Sequence, residues 1–521
     1  MSRSTIHLIG CGAEPALPGP ETVGGKAHNL MRMASIGLAV PPGFVLPTAW
    51  CGDHRALTPD DWRGALAHVE RTSGLVFGDV RRPLLVSVRS GAPVSMPGMM
   101  DTLLDVGLCD ATLPGLLLHC GDPRQAWDSY RRLVAGYGET VVGVASGAFE
   151  GDLRAVAGER DERELDFAEL RELTRRHLAT VEREAGAPFP QDPLDQLNNA
   201  IRAVFDSWHS PRALEYRHIH GIAETPGTAV TVQRMAFGNA GGISGAGVGF
   251  TRNPATGDPA PWIDFLFNAQ GEDVVAGRRR AHGDQQLRIA FPALWSELLG
   301  VMQRLEREFG DMQDLEFTIE RGRLLLLQTR SGKRTALAAL RIMLDLHDAG
   351  IIDRPELLRR AGRIDRAALR VSIVKADGLK PLARAIPASN GVAAGEIAID
   401  AARALQRAAA GAPVILVRDD AETTDLPAMH QARGLLTRRG ARTSHAAVVA
   451  RQLGKVCLVD CENLSIDLDK RQVHFGEMAL AEGDRVTLDG NSGAVFGGEP
   501  DMVEQEPVEL LARLGRLQQE P

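Results

Sequence analysis

Residues 313–334, QDLEFTIERGRLLLLQTRSGKR, leave a chain little choice of local structure. Polar and apolar residues alternate through LEFTIE, a leucine run follows, and Arg321-Gly322 separates the halves, so the segment reads as a β-hairpin with glycine in a short turn. Two-residue alternation puts Asp314 and Glu316 on one face of the first strand, and Gln328 and Arg330 on one face of the second. Carboxylate, amide and guanidinium groups meeting on paired strands suit a divalent cation and nucleotide phosphates. The same residues would also serve as a solvated face with a cross-strand ion pair. The run RLLLLQTR is too apolar for a freely exposed strand, which favours a site.

Three other segments carry chemistry-bearing residues. FGNAGGISGAGVGFTRNP (237–254) places six glycines within residues 238–250. Glycine lets backbone amides approach an anion closely, so a phosphate-cradling loop and a plain hairpin turn are both open readings. No Gly-Lys-Ser/Thr follows, which excludes a Walker loop. LLVSVRSGAPVSMPGMMDT (84–102) delivers Arg89 from a strand end into a loop, where its fork could grip a phosphate. TSHAAVVARQLGK (443–455) sets His445 behind Thr443 and Ser444 and ahead of small apolar residues, the pattern of a helix start.

At 521 residues the chain should hold several domains, since single cores rarely exceed roughly 250–300 residues. A net charge of −8 argues against a nucleic-acid or anionic-membrane surface as its main partner. No run approaches the roughly 18 apolar residues of a membrane span, and the N-terminal apolar run is too short for a secretory signal. The six cysteines, at 11, 51, 109, 120, 457 and 461, are scattered; without a second ligand pair beside Cys457 and Cys461 no zinc site is expected, and thiols in a reducing cytoplasm are the simpler reading. Only six of the 59 basic residues are lysine. A lysine kept against that bias suggests a need for a compact point charge, and Lys26 sits in VGGKAHNL.

The fold class expected is a mixture of α/β and α+β domains. Residues 1–340 form a first domain, interrupted at about 111–220 by helical patterns such as ELDFAELRELTRRHLATVEREAG. A helical linker follows at 341–386, with LKPLARAIPASNG (379–391) showing linker composition. Residues 387–500 read as a compact mixed domain with strands at 413–418, 434–437 and 456–459 and turn chemistry at Asp489-Gly490. Residues 501–521 read as a polar, frayed tail.

These pieces occur together and in order, and on them the sequence resembles the pyruvate, phosphate dikinase family of phosphoenolpyruvate-utilising enzymes. The stretches that carry the likeness are VGGKAHNLMRMASIGLAVPPGF, LLVSVRSGAPVSMPGMMDTLLDVGL, GTAVTVQRMAFGN, GVGFTRNPATGD, NAQGEDVVAG, MQDLEFTIERGRLLLLQTRSGKRTA and LTRRGARTSHAAVVARQLGK, spanning about residues 20–500. The resemblance implies an ATP-grasp nucleotide domain at 1–340 and a swivelling phosphohistidine domain at 387–500. It implies that Lys26, Arg89 and Arg330 contact ATP phosphates, that Glu316 and Gln328 hold Mg2+ with Asp314 beside them, and that the loop from Gly238 through Gly245 and Gly247 to Gly249 covers the triphosphate. His445 would take a phosphoryl group from ATP, with Thr443 and Ser444 donating hydrogen bonds to it. The sequence departs from the family where Ala441-Arg442 replaces Gly-Met before Thr-Ser-His, and where Gly242 and Ile243 stand in place of acidic residues.

The family's C-terminal pyruvate and phosphoenolpyruvate barrel is not found in this sequence. The expectation is therefore a half-reaction in which ATP and inorganic phosphate give AMP, pyrophosphate and phospho-His445, with pyruvate reached through a separate polypeptide. Other readings are a phosphoenolpyruvate synthase-like or rifampin phosphotransferase-like enzyme with a different acceptor, and a non-catalytic ATP-binding regulatory module. Phosphate dependence separates the first from the other enzymes; damage to the chemical positions would mark the module.

Overall fold

A computed structural model describes residues 5–12, 17–94, 96, 99–158, 160, 162–225, 227–275, 282–375, 378–421, 423–440 and 445–519; at a few of these, His445 among them, it describes the backbone alone. The chain divides into two compact units, one of residues 1–244 with 318–329 and the other of 245–317 with 330–521.

The first unit is built on a five-stranded sheet in the order His7–Ile9, Gly43–Leu46, Ala229–Arg234, Val86–Gly91, Thr102–Val106. Val86 and Val88 on one strand and Val230 and Val232 on its antiparallel neighbour are fully buried. The stretch expected as a helical insert forms helices at Leu113–Cys120, Pro123–Tyr137, Ser146–Ala157, Phe167–Ala185, Pro193–Asp206 and Pro211–His220. Their starts follow capping chemistry: Asp166 accepts from the amides of Ala168 and Glu169, and Glu169 reaches back to the Asp166 amide. Leu133, Val204 and Phe205 from these helices join the sheet's valines in one apolar core around Trp62 and Tyr130.

In the second unit the segments after Ser331 form the helices Ala336–Asp348 and Arg354–Ala361, then a strand, Val371–Val374, antiparallel to Met502–Gln505. Between the strands of that ribbon lies an eight-stranded sheet. Its centre is parallel, in the order Val392–Ala398, Val414–Arg418, Gly434–Thr437, Val456–Val459. Near-continuous apolar strands such as VILVR are what a parallel sheet covered on both faces requires, and two separate cores, one containing Ile415 and Leu436 and the other Leu416 and Leu435, lie on its two faces.

Two expectations need correction here. The proline-bearing stretch 379–391 is not simply linker: Ala383–Arg384 and Ile386–Ser389 are the two outer strands of the eight-stranded sheet. An outer strand leaves one row of amides unpaired, so Pro387 is tolerated there, and the pairing register slips beside it. Nor is the C-terminal stretch frayed. It holds the strand Met502–Gln505 and the helix Val508–Gln519, whose Leu510 and Leu514 are buried against Leu340 and Leu344 of the Ala336–Asp348 helix. Arg513 adds hydrogen bonds to Asp345 at 3.1 Å and Asp348 at 2.8 Å.

Leu514→Ala is expected to cost about 2–4 kcal/mol in the stability of the second unit, the ordinary loss for a buried leucine. Chemical denaturation followed by a probe in that unit measures it; a loss below about 0.5 kcal/mol would mean that the terminal helix does not dock.

Candidate functional site

The hairpin alternates as its sequence demands. On Gln313–Glu320, Leu315, Phe317 and Ile319 are buried while Asp314, Glu316 and Glu320 are only partly so; on Arg323–Ser331, Gln328 and Arg330 are likewise partly exposed. Arg321 and Gly322 make the turn with φ of 50° and 80°, both left-handed, as a two-residue type I′ turn requires. The hairpin belongs to a sheet in the order His282–Gly283, Trp262–Phe267, Gly245–Phe250, Gln313–Glu320, Arg323–Ser331.

Within the second unit, Arg330 Nε donates to Asp314 Oδ2 at 2.7 Å. Burial pushes the Asp314 carboxyl up, with Arg330 pulling against it. Burial also works against the charge on Arg330, but the facing carboxylate outweighs it and holds the guanidinium above its usual value. Glu316 is two residues along the same face. Oxygen donors of this kind suit a hard cation. Among the described residues no cluster of three or more His, Cys, Asp or Glu side chains forms a ready-made cage.

The first unit holds Lys26, Arg89, Gln328 and Gly238. Lys26 lies on the helix Pro20–Ser35, which is interrupted at Gly24 (φ 76°). A Cβ at Gly24 would stand 1.8 Å from the Gly91 carbonyl oxygen, and one at Gly91 would stand 3.9 Å from the Lys26 Cβ. Gly24 therefore lets this helix close against the strand that carries Arg89, Val86–Gly91, and the Gly25 amide seals the contact by donating to Ala92 O at 3.1 Å. Three residues past Lys26, Asn29 donates to the Thr329 carbonyl at 2.8 Å, tying the same helix to the residue after Gln328.

The glycine-rich segment divides. Residues 238–244 are a turn, with Gly241 at φ 69° and Gly242 at φ 49°. From Gly245 to Phe250 the segment is a strand, so the covering loop expected to run to Gly249 ends at Ser244. Gly245 and Gly247 have a packing reason for lacking a side chain: a Cβ would meet the Phe265 ring at 2.2 Å in the first case and the Phe317 ring at 2.3 Å in the second.

A clasp that sequence reasoning missed holds the 238–244 turn. Glu320 accepts from the Phe237 amide at 3.0 Å and from Arg234 at 2.6 Å. At the far end of the turn, the Arg321 amide donates to Ser244 Oγ at 3.1 Å and the Gly322 amide to Ile243 O at 2.7 Å. From the helical segment, Gln125 donates to Asn239 Oδ1 at 3.2 Å. The hairpin's tip therefore pins both ends of the glycine turn. No local pattern announces this, because Glu320 reads as one more polar residue in an alternating strand.

His445 opens the helix His445–Gln452 in the second unit, as its sequence predicts. Its ring, and residues 441–444 with Thr443 and Ser444, lie outside what the structure describes.

Residues 54–295 match the family described as pyruvate phosphate dikinase, AMP/ATP-binding domain. Residues 410–493 match the PEP-utilising enzyme, mobile domain. The chain carries a pyruvate phosphate dikinase AMP/ATP-binding domain followed by a PEP-utilising mobile domain. It is 43% identical to pyruvate, phosphate dikinase of Rhizobium meliloti over 543 residues, covering 99% of this chain and 60% of the relative. Against pyruvate, phosphate dikinase of Clostridium symbiosum the identity is 42%, covering 92% of this chain and 56% of the relative, and against pyruvate, phosphate dikinase 2 of Zea mays it is 42%, covering 95% and 57%. The chain thus spans somewhat under two thirds of the length of these relatives. Among its described residues no helix is long and apolar enough to cross a membrane.

Glu320→Ala is expected to weaken ATP binding about tenfold, the loss of one charge-assisted hydrogen-bond set. Glu320→Gln, which can still accept from the Phe237 amide, should recover part of it. Titration calorimetry alongside thermal unfolding reads both; unchanged affinity in Glu320→Ala would show that the clasp has no bearing on nucleotide.

Proposed function

We propose that this chain is a dikinase-type phosphotransferase in which an ATP-grasp domain charges His445 with a phosphoryl group and a swivelling phosphohistidine domain carries it onward. The observation that carries the reading is that a charged hairpin face (Asp314, Glu316, Arg330) and the helix that opens with His445 belong to one compact unit. The match of residues 410–493 to a mobile domain supports it.

In this reading Lys26, Arg89 and Arg330 neutralise the triphosphate, and the turn beginning at Gly238 covers it. Arg330 arrives already oriented by Asp314, so its fork needs no reorganisation to meet a phosphate. Glu316 and Gln328 hold Mg2+, which when bound draws off charge that builds on the phosphate oxygens.

The phosphoryl balance fixes the steps. A neutral imidazole nitrogen of His445 attacks the β-phosphorus of ATP, the α–β bridging bond breaks, and AMP leaves with the bond's electron pair. An oxygen of inorganic phosphate then attacks the γ-phosphorus. The β–γ bond breaks, pyrophosphate departs, and the β-phosphoryl group stays on the ring. A histidine at a helix N-terminus is suited to both states: the positive end of the dipole disfavours imidazolium and stabilises the phosphorylated, anionic form. The onward acceptor is pyruvate, giving phosphoenolpyruvate.

With ATP labelled at the β-phosphate, the chain should acquire acid-labile label in the presence of Mg2+, and His445→Asn should acquire none. Labelled γ-phosphate should leave as pyrophosphate only when inorganic phosphate is present. Label that persists in His445→Asn, or γ-phosphate released as free phosphate by water, would contradict the dikinase reading.

A further inference from the structure

Arg451 lies six residues after His445 on the same helix, about 9 Å along its axis at 1.5 Å per residue. Although an arginine, it is 5% exposed. Burying a guanidinium is costly unless opposite charge or hydrogen-bond acceptors meet it. Its own domain supplies one acceptor: Nη1 donates to the Ala388 carbonyl, on an outer strand of the eight-stranded sheet, at 2.6 Å.

Further surroundings come from the other sheet of the same unit. The Arg451 Cζ stands 5.4 Å from the centre of the Phe250 ring, within cation–π range. Phe250 ends the strand Gly245–Phe250, and the strands on either side of it carry Asp264 and Asp314. Burial pushes the Arg451 guanidinium down; Cys457, Asp314 and Asp264 are the groups that oppose the shift. The Cys457 thiol is itself pushed up to about 12 by burial, so it is uncharged at neutral pH and cannot be the counter-ion. Of these groups the two carboxylates carry the opposing charge. Asp314 is also the partner of Arg330, so the charge of one carboxylate acts on a cation from the hairpin and on a second from the histidine helix.

We propose that Arg451 registers the phosphohistidine domain on the nucleotide sheet, seating its guanidinium over Phe250 and toward the Asp264 and Asp314 carboxylates when His445 is charged. It is a positioning residue. Its distance from the His445 backbone along the helix is fixed by helical geometry, so a guanidinium seated at Phe250 sets how far the helix, and His445 at its head, can slide over the sheet. The role rests on His445 being the phosphoryl carrier.

The test uses the full chain and two routes to phospho-His445. One is a single turnover with β-labelled ATP, which needs docking. The other is chemical phosphorylation by phosphoramidate, which does not. Arg451→Met should slow the ATP route roughly 30-fold or more, as expected for the loss of a desolvated charge contact. ATP affinity and the phosphoramidate route should stay within about twofold, and Arg451→Lys should recover part of the rate. Asp264→Asn, across the contact and outside the histidine domain, should also slow the ATP route alone, and the double variant should be no slower than Arg451→Met. Asp264→Asn keeps the proposal testable if Arg451→Met does not fold. Equal losses by both routes, strictly multiplicative effects of the two substitutions, or an Asp264→Asn variant as fast as the unaltered chain would overturn the proposal. Absence of ATP-derived label in the unaltered chain would instead overturn the relay itself, and this inference with it.

Discussion

The ion pair between Arg330 and Asp314 is the constraint on which the charged hairpin face depends. A guanidinium and a carboxylate at 2.7 Å on a half-buried face cannot both be left without water unless each answers the other. Removing either would strand the other's charge, a loss larger than the pair's own contribution. The pair is therefore weak grounds for stability; it holds an oriented cation on the hairpin face, as the proposed phosphate contact requires. Around it the apolar side of the same strand, Leu315, Phe317 and Ile319, is buried in the sheet and fixes which way the charges face.

The two ends of the hairpin do different work. Its open end displays the charged residues. Its turn, with Arg321 and Gly322 in left-handed conformation, presents backbone amides to the glycine turn and so determines where residues 238–244 lie. Backbone amides that are committed to Ile243 and Ser244 make the turn a fixed object, while Gly241 and Gly242, with nothing within 4 Å of where a Cβ would be, keep its crest narrow. This is preorganisation by an element whose own position is set by strand pairing.

Much of this was legible in the sequence for a simple reason: a period of two specifies both strand and face. The hairpin carries that period; the strands Val414–Arg418, Gly434–Thr437 and Val456–Val459 read instead as short apolar runs, and residues 113–220 carry the 3.6-residue period of helices. What could not be read has equally physical causes. A glycine that makes a turn and one that makes room for a phenylalanine ring are the same letter, so Gly241 and Gly247 look alike. Proline excludes a central strand but not an outer one, which is why Ile386–Ser389 read as linker. The terminal helix was overlooked although Leu510 and Leu514 are four residues apart, a helical signal surrounded by polar residues. Glu320, Arg234 and Arg451 act through partners distant in sequence, and no local pattern encodes them.

The central claim is that His445 closes a complete phosphoryl exchange with ATP before any onward acceptor is engaged. Incorporation of labelled pyrophosphate into ATP, with Mg2+, AMP and phosphate present and pyruvate absent, tests it most directly. The account predicts exchange that depends on both phosphate and His445. Exchange that survives in His445→Asn, or none from a folded, ATP-binding chain, would contradict it.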